Sequence, residues 1–341
     1  MASASSASAT IAVVKPDGEV DAVPGSYIDT HCHVDEVLTK LGVTPPYESM
    51  AEAPGRVFGE RCAGVIAQFC DPAAFSPSFA VYPDLLRLPG VYGAFGLHPH
   101  HAKYWSESVA ERIQEALRHP RAVAYGEFGL DYRVNRSKPE VQKACFSAQL
   151  ALAQSLEKPL PIVLHCSQAE DDMLALLLGG VAEALRADLK IHLHCYTGDG
   201  EHAAAFLGAF PQLYIGVTGF VTYAKAKALQ EALRSGVIPL SRLLLETDGP
   251  HMPPEAAVPA PEAARAGEAA EAAGTEAADT GRARGRGGRR GGGRRGGGNR
   301  GGPTTPAAIP VIAAAVAALV GTTPEEVLAQ TRANAHAVYG I

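Results

Sequence analysis

The stretch Ile28-Asp29-Thr30-His31-Cys32-His33 carries two histidines one residue apart. On a β-strand side chains alternate faces, so His31 and His33 point the same way with Cα atoms roughly 6.6 Å apart. Two imidazoles so placed can close on one metal ion at about 2.0–2.1 Å each. Taken alone, such a pair is more often exposed or singly hydrogen-bonded than ligating. Company changes the reading: Glu127, His165, His194 and Asp248 stand at the ends of later apolar runs. Six ligands exceed what one ion takes from a protein while keeping an open position, and they suit two. A glutamate bridging two divalent ions about 3.5–4 Å apart serves phosphoester displacement, one ion activating water and both steadying the charged oxygens.

Other residues join this set with two readings each. His98 and His100, in Gly96-Leu97-His98-Pro99-His100-His101, can donate to a phosphate or a leaving group, or can simply shape their loop. Asp131, four residues after Glu127, fits the role of orienting a ligand from behind. Glu246, two residues before Asp248 and of the same strand parity, can contact substrate, bind water or position a proton acceptor. Cys32, Cys166 and Cys195 each adjoin an expected ligand histidine, so alternation turns them toward the surrounding helices as small apolar core residues. The same parity puts His192 inside, two residues below His194, as a buried hydrogen-bonded histidine.

The elements that must hold these residues are eight short apolar runs: Tyr27 to Val34, Gly64 to Cys70, Val91 to His98, Ala122 to Glu127, Leu160 to His165, Leu189 to His194, Leu213 to Val217 and Leu243 to Asp248. Segments of helical period lie between several of them, among them Ser108 to His119, Pro139 to Glu157, Asp171 to Ala187 and Lys225 to Ser235. Strands this uniformly apolar are buried on both faces. Alternation with helices then predicts an α/β protein, a (β/α)8 TIM barrel with its chemistry at the C-terminal ends of the strands. A doubly wound open sheet is the alternative, disfavoured because no Gly-x-Gly-x-x-Gly turn follows the first strand.

Residues 1–25 read as a loose tail, and 26–253 with 303–341 as one hydrolase domain. Between its two parts lies an insert, 254–302, first rich in Ala, Glu and Pro and then in Arg and Gly, with almost no apolar bulk. Such a stretch cannot repay its ordering entropy and is expected to be disordered. Folded character returns at Pro306 to Val320 and at Thr323 to Tyr339, where Thr323 is a candidate N-cap before Pro324-Glu325-Glu326.

At 341 residues and 47% hydrophobic composition the chain can bury a large core. A net charge of −6 gives no global attraction to nucleic acid or anionic membranes, so polyanion binding has to come from local patches. The six scattered cysteines form no CxxC pair and read as reduced thiols. With no secretory signal pattern and no apolar run of membrane-spanning length, the expectation is a cytoplasmic or nuclear protein with no membrane and no evident protein partner; an organelle transit peptide in the Ser/Ala-rich start Met1 to Thr10, which has no acid but also no arginine, is the weaker alternative.

The ordered motifs Asp29-Thr30-His31-Cys32-His33, Gly96-Leu97-His98-Pro99-His100, Gly126-Glu127-Phe128-Gly129-Leu130-Asp131-Tyr132, Pro161-Ile162-Val163-Leu164-His165, His194-Cys195-Tyr196-Thr197-Gly198 and Leu245-Glu246-Thr247-Asp248-Gly249-Pro250 resemble those of the TatD-like metal-dependent deoxyribonucleases. The resemblance implies hydrolysis of nucleic-acid phosphodiesters, DNA above all with RNA also open, using two divalent ions, commonly Mg2+ with Zn2+ or Mn2+ as alternatives. It implies that His31, His33, Glu127 and Asp248 hold one ion and Glu127, His165 and His194 the other. Glu127 and Asp248 become the catalytic carboxylates, with Asp248 accepting the water proton. Three departures stand out: Ser167 replaces an arginine usual two residues after the strand-five histidine, Gly249 replaces an alanine, and the Arg/Gly insert occupies the loop after strand eight. Two other readings stay open. One is a barrel hydrolase of another ester, a lactone or an amide; Glu127 disfavours it, because many such relatives resemble one another in bearing a carboxylated lysine at that strand-four position. The other is a nucleic-acid-binding protein acting through its Arg/Gly insert.

Overall fold

A computed structural model describes residues 24–43, 57–76, 80–134, 136–255 and 302–341. The expected tail at 1–25 and the insert at 254–302 lie almost wholly outside the described residues. Eight strands, β1 (Tyr27–Cys32), β2 (Cys62–Phe69), β3 (Val91–Phe95), β4 (Ala122–Asp131), β5 (Ile162–Ser167), β6 (Ile191–His194), β7 (Leu213–Val217) and β8 (Leu243–Leu245), pair in sequence order, all parallel. Each strand presents buried residues along nearly its whole length, the burial that parallel strands with helices outside and side chains inside require. The ring closes at the ligand end. Thr30 Oγ1 donates to Leu245 O at 3.0 Å, Asp248 N to His31 O at 2.9 Å and His33 N to Gly249 O at 2.7 Å.

Helices α1 (Val34–Lys40), α2 (Tyr82–Leu85), α3 (Glu107–Leu117), α4 (Pro139–Gln154), α5 (Glu170–Gly180), α6 (Glu183–Arg186), α7 (Gly200–Ala209) and α8 (Lys227–Arg234) follow the strands. The single helix expected over 171–187 is two. Gly179 and Gly180 end α5, and Val181 takes an extended conformation before α6, because glycine loses more backbone freedom in a helix than any other residue. Past the insert come α9 (Ile309–Val320) and α10 (Pro324–Tyr339). Thr323 caps α10 as expected: its hydroxyl accepts from Glu326 N while the Glu326 carboxylate accepts from Thr323 N, a reciprocal capping box.

The main core lies between strands and helices. A smaller cluster including Ile28, Ile66, Ala94, Val163, Tyr214 and Leu244 fills the barrel interior, packed against Ala335, Val338 and Tyr339 of α10. Four of these positions lie two residues below polar ones of the same parity: Ile28 below Thr30, Ile66 below Gln68, Val163 below His165 and Leu244 below Glu246. The interior is therefore apolar at the end sealed by α10 and polar toward the other.

Candidate metal centre

The polar end opens into a cavity of about 890 Å3 whose lining includes His33, His98, His100, Glu127, Asp131, His165, His194 and Asp248. Glu127 lies in β4 and is 1% exposed, and its two oxygens face different partners. Oε2 lies 3.3 Å from His31 Nε2 and 3.7 Å from His33 Nε2, and both nitrogens also face Asp248 Oδ1, at 3.8 and 3.6 Å. Oε1 lies 2.7 Å from His165 Nδ1 and 3.4 Å from His194 Nε2. All six expected ligands thus converge, in two sets that share Glu127.

These separations test the fit to metal. Donors held at about 2.1 Å around a tetrahedral ion lie ~3.4 Å from one another, close to most of these contacts. His31 supplies a second test. It has no exposed surface, and neither of its ring nitrogens has a hydrogen-bond partner among the described residues. A buried polar group left in that state is costly, and an ion at Nε2 would give that nitrogen its partner. The residues fit divalent metal.

Electrostatics point the same way. Burial opposes ionisation of Glu127, but His194, His98 and His31 together with the His165 hydrogen bond outweigh it and hold the carboxyl well below the usual range. Burial and the neighbouring His194 ring, stacked at 3.5 Å, push His31 down to about 4, so its imidazole is neutral and ligand-ready at neutral pH. His165 goes the other way: burial opposes the charge, but Asp131 and Glu127 raise it to about 9. Burial opposes the charge on His33 and His194 too. A hydrogen bond to Asp248 raises His33 nonetheless, and Glu246 and Glu127 raise His194.

The two loop histidines also reach the cavity. His98 Nδ1 accepts the His100 backbone N–H at 3.1 Å, which places the His98 ring proton on Nε2, 3.5 Å from Glu127 Oε1. Burial lowers its pKa well below the ordinary value, so His98 is a neutral donor aimed at the bridging carboxylate and has no lone pair there for an ion. His100 Nε2 lies 3.0 Å from Asp131 Oδ2, which is also 3.3 Å from His165 Nε2. Asp131 therefore orients His165 from behind, as expected.

Two expectations are corrected. Glu246 cannot meet substrate: it has no exposed surface and lies beneath His194. Cys195 does not face the helices. β6 ends at His194, and at Cys195 the backbone turns left-handed (φ 46°), so alternation stops and the residue lines the cavity, with Sγ 3.7 Å from Thr218 Oγ1. Cys32 does pack in the main core, as does Cys166, although Cys166 also borders the cavity.

Sequence reasoning missed Cys70, whose Sγ lies 3.7 Å from Glu127 Oε2, and Gln68 below it, both at the cavity. Their signal was available, since Gln68 and Cys70 share a face at the end of the apolar β2 run. Arg133, Arg136, Phe220 and Lys225 at the rim had no such signal, because loops carry no period.

Residues 28–340 match the family model described as TatD related DNase. A human 3'-5' RNA nuclease, TATDN2, is 40% identical over 239 residues, which are 67% of this chain and 29% of that protein. The 3'-5' ssDNA/RNA exonuclease TatD of Klebsiella pneumoniae is 39% identical over 177 residues, 52% of this chain and 64% of that protein. The chain thus spans less than two thirds of the length of either relative. A crystal structure of a TatD homologue from Escherichia coli superposes with a TM-score of 0.66 at 24% identity, covering 92% of this chain and 98% of that one. A TatD family hydrolase from Entamoeba histolytica does so with 0.67 at 19% identity, covering 92% and 98%. Both show the barrel fold, and the family match runs through every strand of it and all six candidate ligands: the chain belongs to the TatD-related DNase family.

Proposed function

We propose that this protein hydrolyses phosphodiester bonds of single-stranded nucleic acid, DNA or RNA, with two divalent ions. The observation that carries the reading is Glu127, whose two oxygens face two separate ligand sets. His31, His33 and Asp248 would hold one ion, and His165 and His194 the other. When bound, such a pair polarises water toward hydroxide and neutralises the phosphate charge. Magnesium is the working ion we assign, while the four imidazoles make Mn2+ or Zn2+ the tighter binder.

The side chains divide the remaining work. Asp248 is the carboxylate that would also take a proton from water. His98 offers its Nε2–H to the phosphate or the departing oxygen. Arg133, Arg136 and Lys225 place positive charge at the rim, where Ser167 cannot supply the arginine the family usually has nearby. The relatives' names support a nucleic-acid substrate: one is a 3'-5' RNA nuclease, the other a 3'-5' ssDNA/RNA exonuclease. Glu127 in place of a carboxylated lysine disfavours lactone and amide chemistry. All six cysteines are free thiols, which supports a reducing compartment, cytoplasm or nucleus.

The test is an assay on single-stranded DNA and RNA oligonucleotides, with Mg2+ or Mn2+ and with chelator, beside Glu127→Ala. Metal-dependent release of nucleotides that the variant lacks is the expected result. No cleavage of either polymer, or full activity in the variant, overturns the proposal.

A further inference from the structure

Beneath the centre runs a second line of polar side chains. Tyr339, the last residue of α10, places Oη 2.6 Å from His192 Nδ1. His192 Nε2 lies 2.9 Å from Glu246 Oε2. Glu246 Oε1 lies 3.3 Å from His194 Nδ1 and accepts the Cys195 backbone N–H at 2.5 Å. His192 and Glu246 have no exposed surface and Tyr339 is buried, so the string crosses the barrel interior from its sealed end toward the cavity. β7 leaves room for it: a Cβ on Gly216 would come within 2.4 Å of His192 Nε2 and 2.5 Å of Glu246 Oε1.

Apolar side chains would fill this space more cheaply than a carboxylate and two imidazoles. The contact with His194 explains the string. Glu246 Oε1 is an acceptor, since the Cys195 backbone N–H donates to it. On one side the carboxylate is backed by His192, whose Nδ1 pairs with the Tyr339 hydroxyl, a hydroxyl that also reaches Thr30 O at 3.5 Å. On the other side Oε1 faces His194 Nδ1, while His194 Nε2 faces Glu127, 3.4 Å away. A ring whose Nδ1 stands against an acceptor presents its Nε2 to the second ligand set.

We propose that Glu246, itself held by His192 and Tyr339, is a positioning residue that fixes His194 as the Nδ1–H tautomer and aims its Nε2 at the second ion. It makes the carboxy-terminal helix part of the metal centre. The proposal rests on the two-ion reading and not on the identity of the substrate.

Calorimetric titration of the full chain with Mn2+ alone tests it, with thermal unfolding as the check on folding. Glu246→Ala should weaken the second ion about tenfold to a hundredfold and leave the first unchanged. Glu246→Gln keeps an acceptor at the same place and should restore most of that affinity. Tyr339→Phe keeps the packing and should weaken the same ion by a few-fold; it carries the test if Glu246→Ala does not fold. In Zn2+-loaded protein, NMR should show faster exchange of the His194 Nδ1 proton with water in Glu246→Ala and Tyr339→Phe. Equal weakening of both ions, or unchanged affinity in the variants, overturns the proposal. A wild type that takes up no ion overturns the two-ion reading instead.

Discussion

The two halves of the centre are built by different means. His31, His33 and Asp248 are placed by backbone: Asp248 N bonds His31 O, His33 N bonds Gly249 O, and Asp248 sits in a left-handed conformation at φ 50°. Behind the His31 ring no carboxylate faces Nδ1 among the described residues. His165 and His194 are placed by side chains instead, each with a carboxylate behind it, Asp131 for the one and Glu246 for the other. The first half is shaped by barrel closure and would be completed by an ion; the second has its carboxylates in place behind the rings. Glu127 is the one residue both halves use.

Removing the shared residue should have the largest effect. Glu127→Ala should lose both ions together and cut kcat by more than the ~10²–10³ that loss of a single transition-state donor costs. Retention of one tightly bound ion would show that the halves are independent. Next in size are the private ligands. His31→Ala should drop Mn2+ stoichiometry from two ions to one and leave the second-ion affinity within about threefold, whereas His165→Ala should spare the first ion. Calorimetry of the two variants side by side checks the division, and loss of both ions in either variant would break it.

This division was only partly legible in the sequence. His31, Glu127, His165 and His194 stand on or at the ends of strands, where alternation and a C-terminal-face rule suffice to bring them together. His33 lies just past β1 and caps α1, yet still converges because barrel closure fixes its backbone. Glu246 and Asp248 share parity but not environment. β8 ends at Leu245, so alternation no longer governs either residue, and the left-handed turn at Asp248 lifts its carboxylate to the cavity while Glu246 stays beneath His194. Cys195 was misread for the same reason. Local period places residues within a strand and says nothing about the turn that follows it, where this site is made.

The halves should also differ in their response to pH. His31 is neutral at neutral pH, so of the first-site histidines only His33 has a raised pKa and a proton to give up. In the second site both His165, raised to about 9, and His194 are biased toward protonation. Because an ion binds only the deprotonated imidazole, affinity for the second ion should climb as pH rises toward about 9 and fall as pH drops. That climb should be steeper than for the first ion. Mn2+ titrations at about pH 7 and about pH 9, in buffers of different ionisation heat, count the protons released. Equal release from both sites would contradict the contrast.

The smallest expected effect concerns the rim and not the ions. Residues 256–301 lie outside the described residues, but both flanks of that stretch are fixed beside the first half of the centre. Glu255 N donates to Thr222 Oγ1 at 2.7 Å and Pro253 O accepts from the Tyr223 hydroxyl, while Thr304 N reaches Pro250 O at 3.4 Å. The described residues on either side of the Arg/Gly sequence, Glu255 and Thr304, therefore stand near the mouth of an otherwise acidic protein. We propose that it supplies local phosphate attraction that the net charge does not. Replacing 256–301 with a short Gly/Ser linker should raise KM for long single strands by a few-fold, more at low salt than at high. It should leave kcat, both ion affinities and the KM for a dinucleotide unchanged. If KM rises equally for long and short substrates, the stretch acts by shaping the site and the tether is wrong.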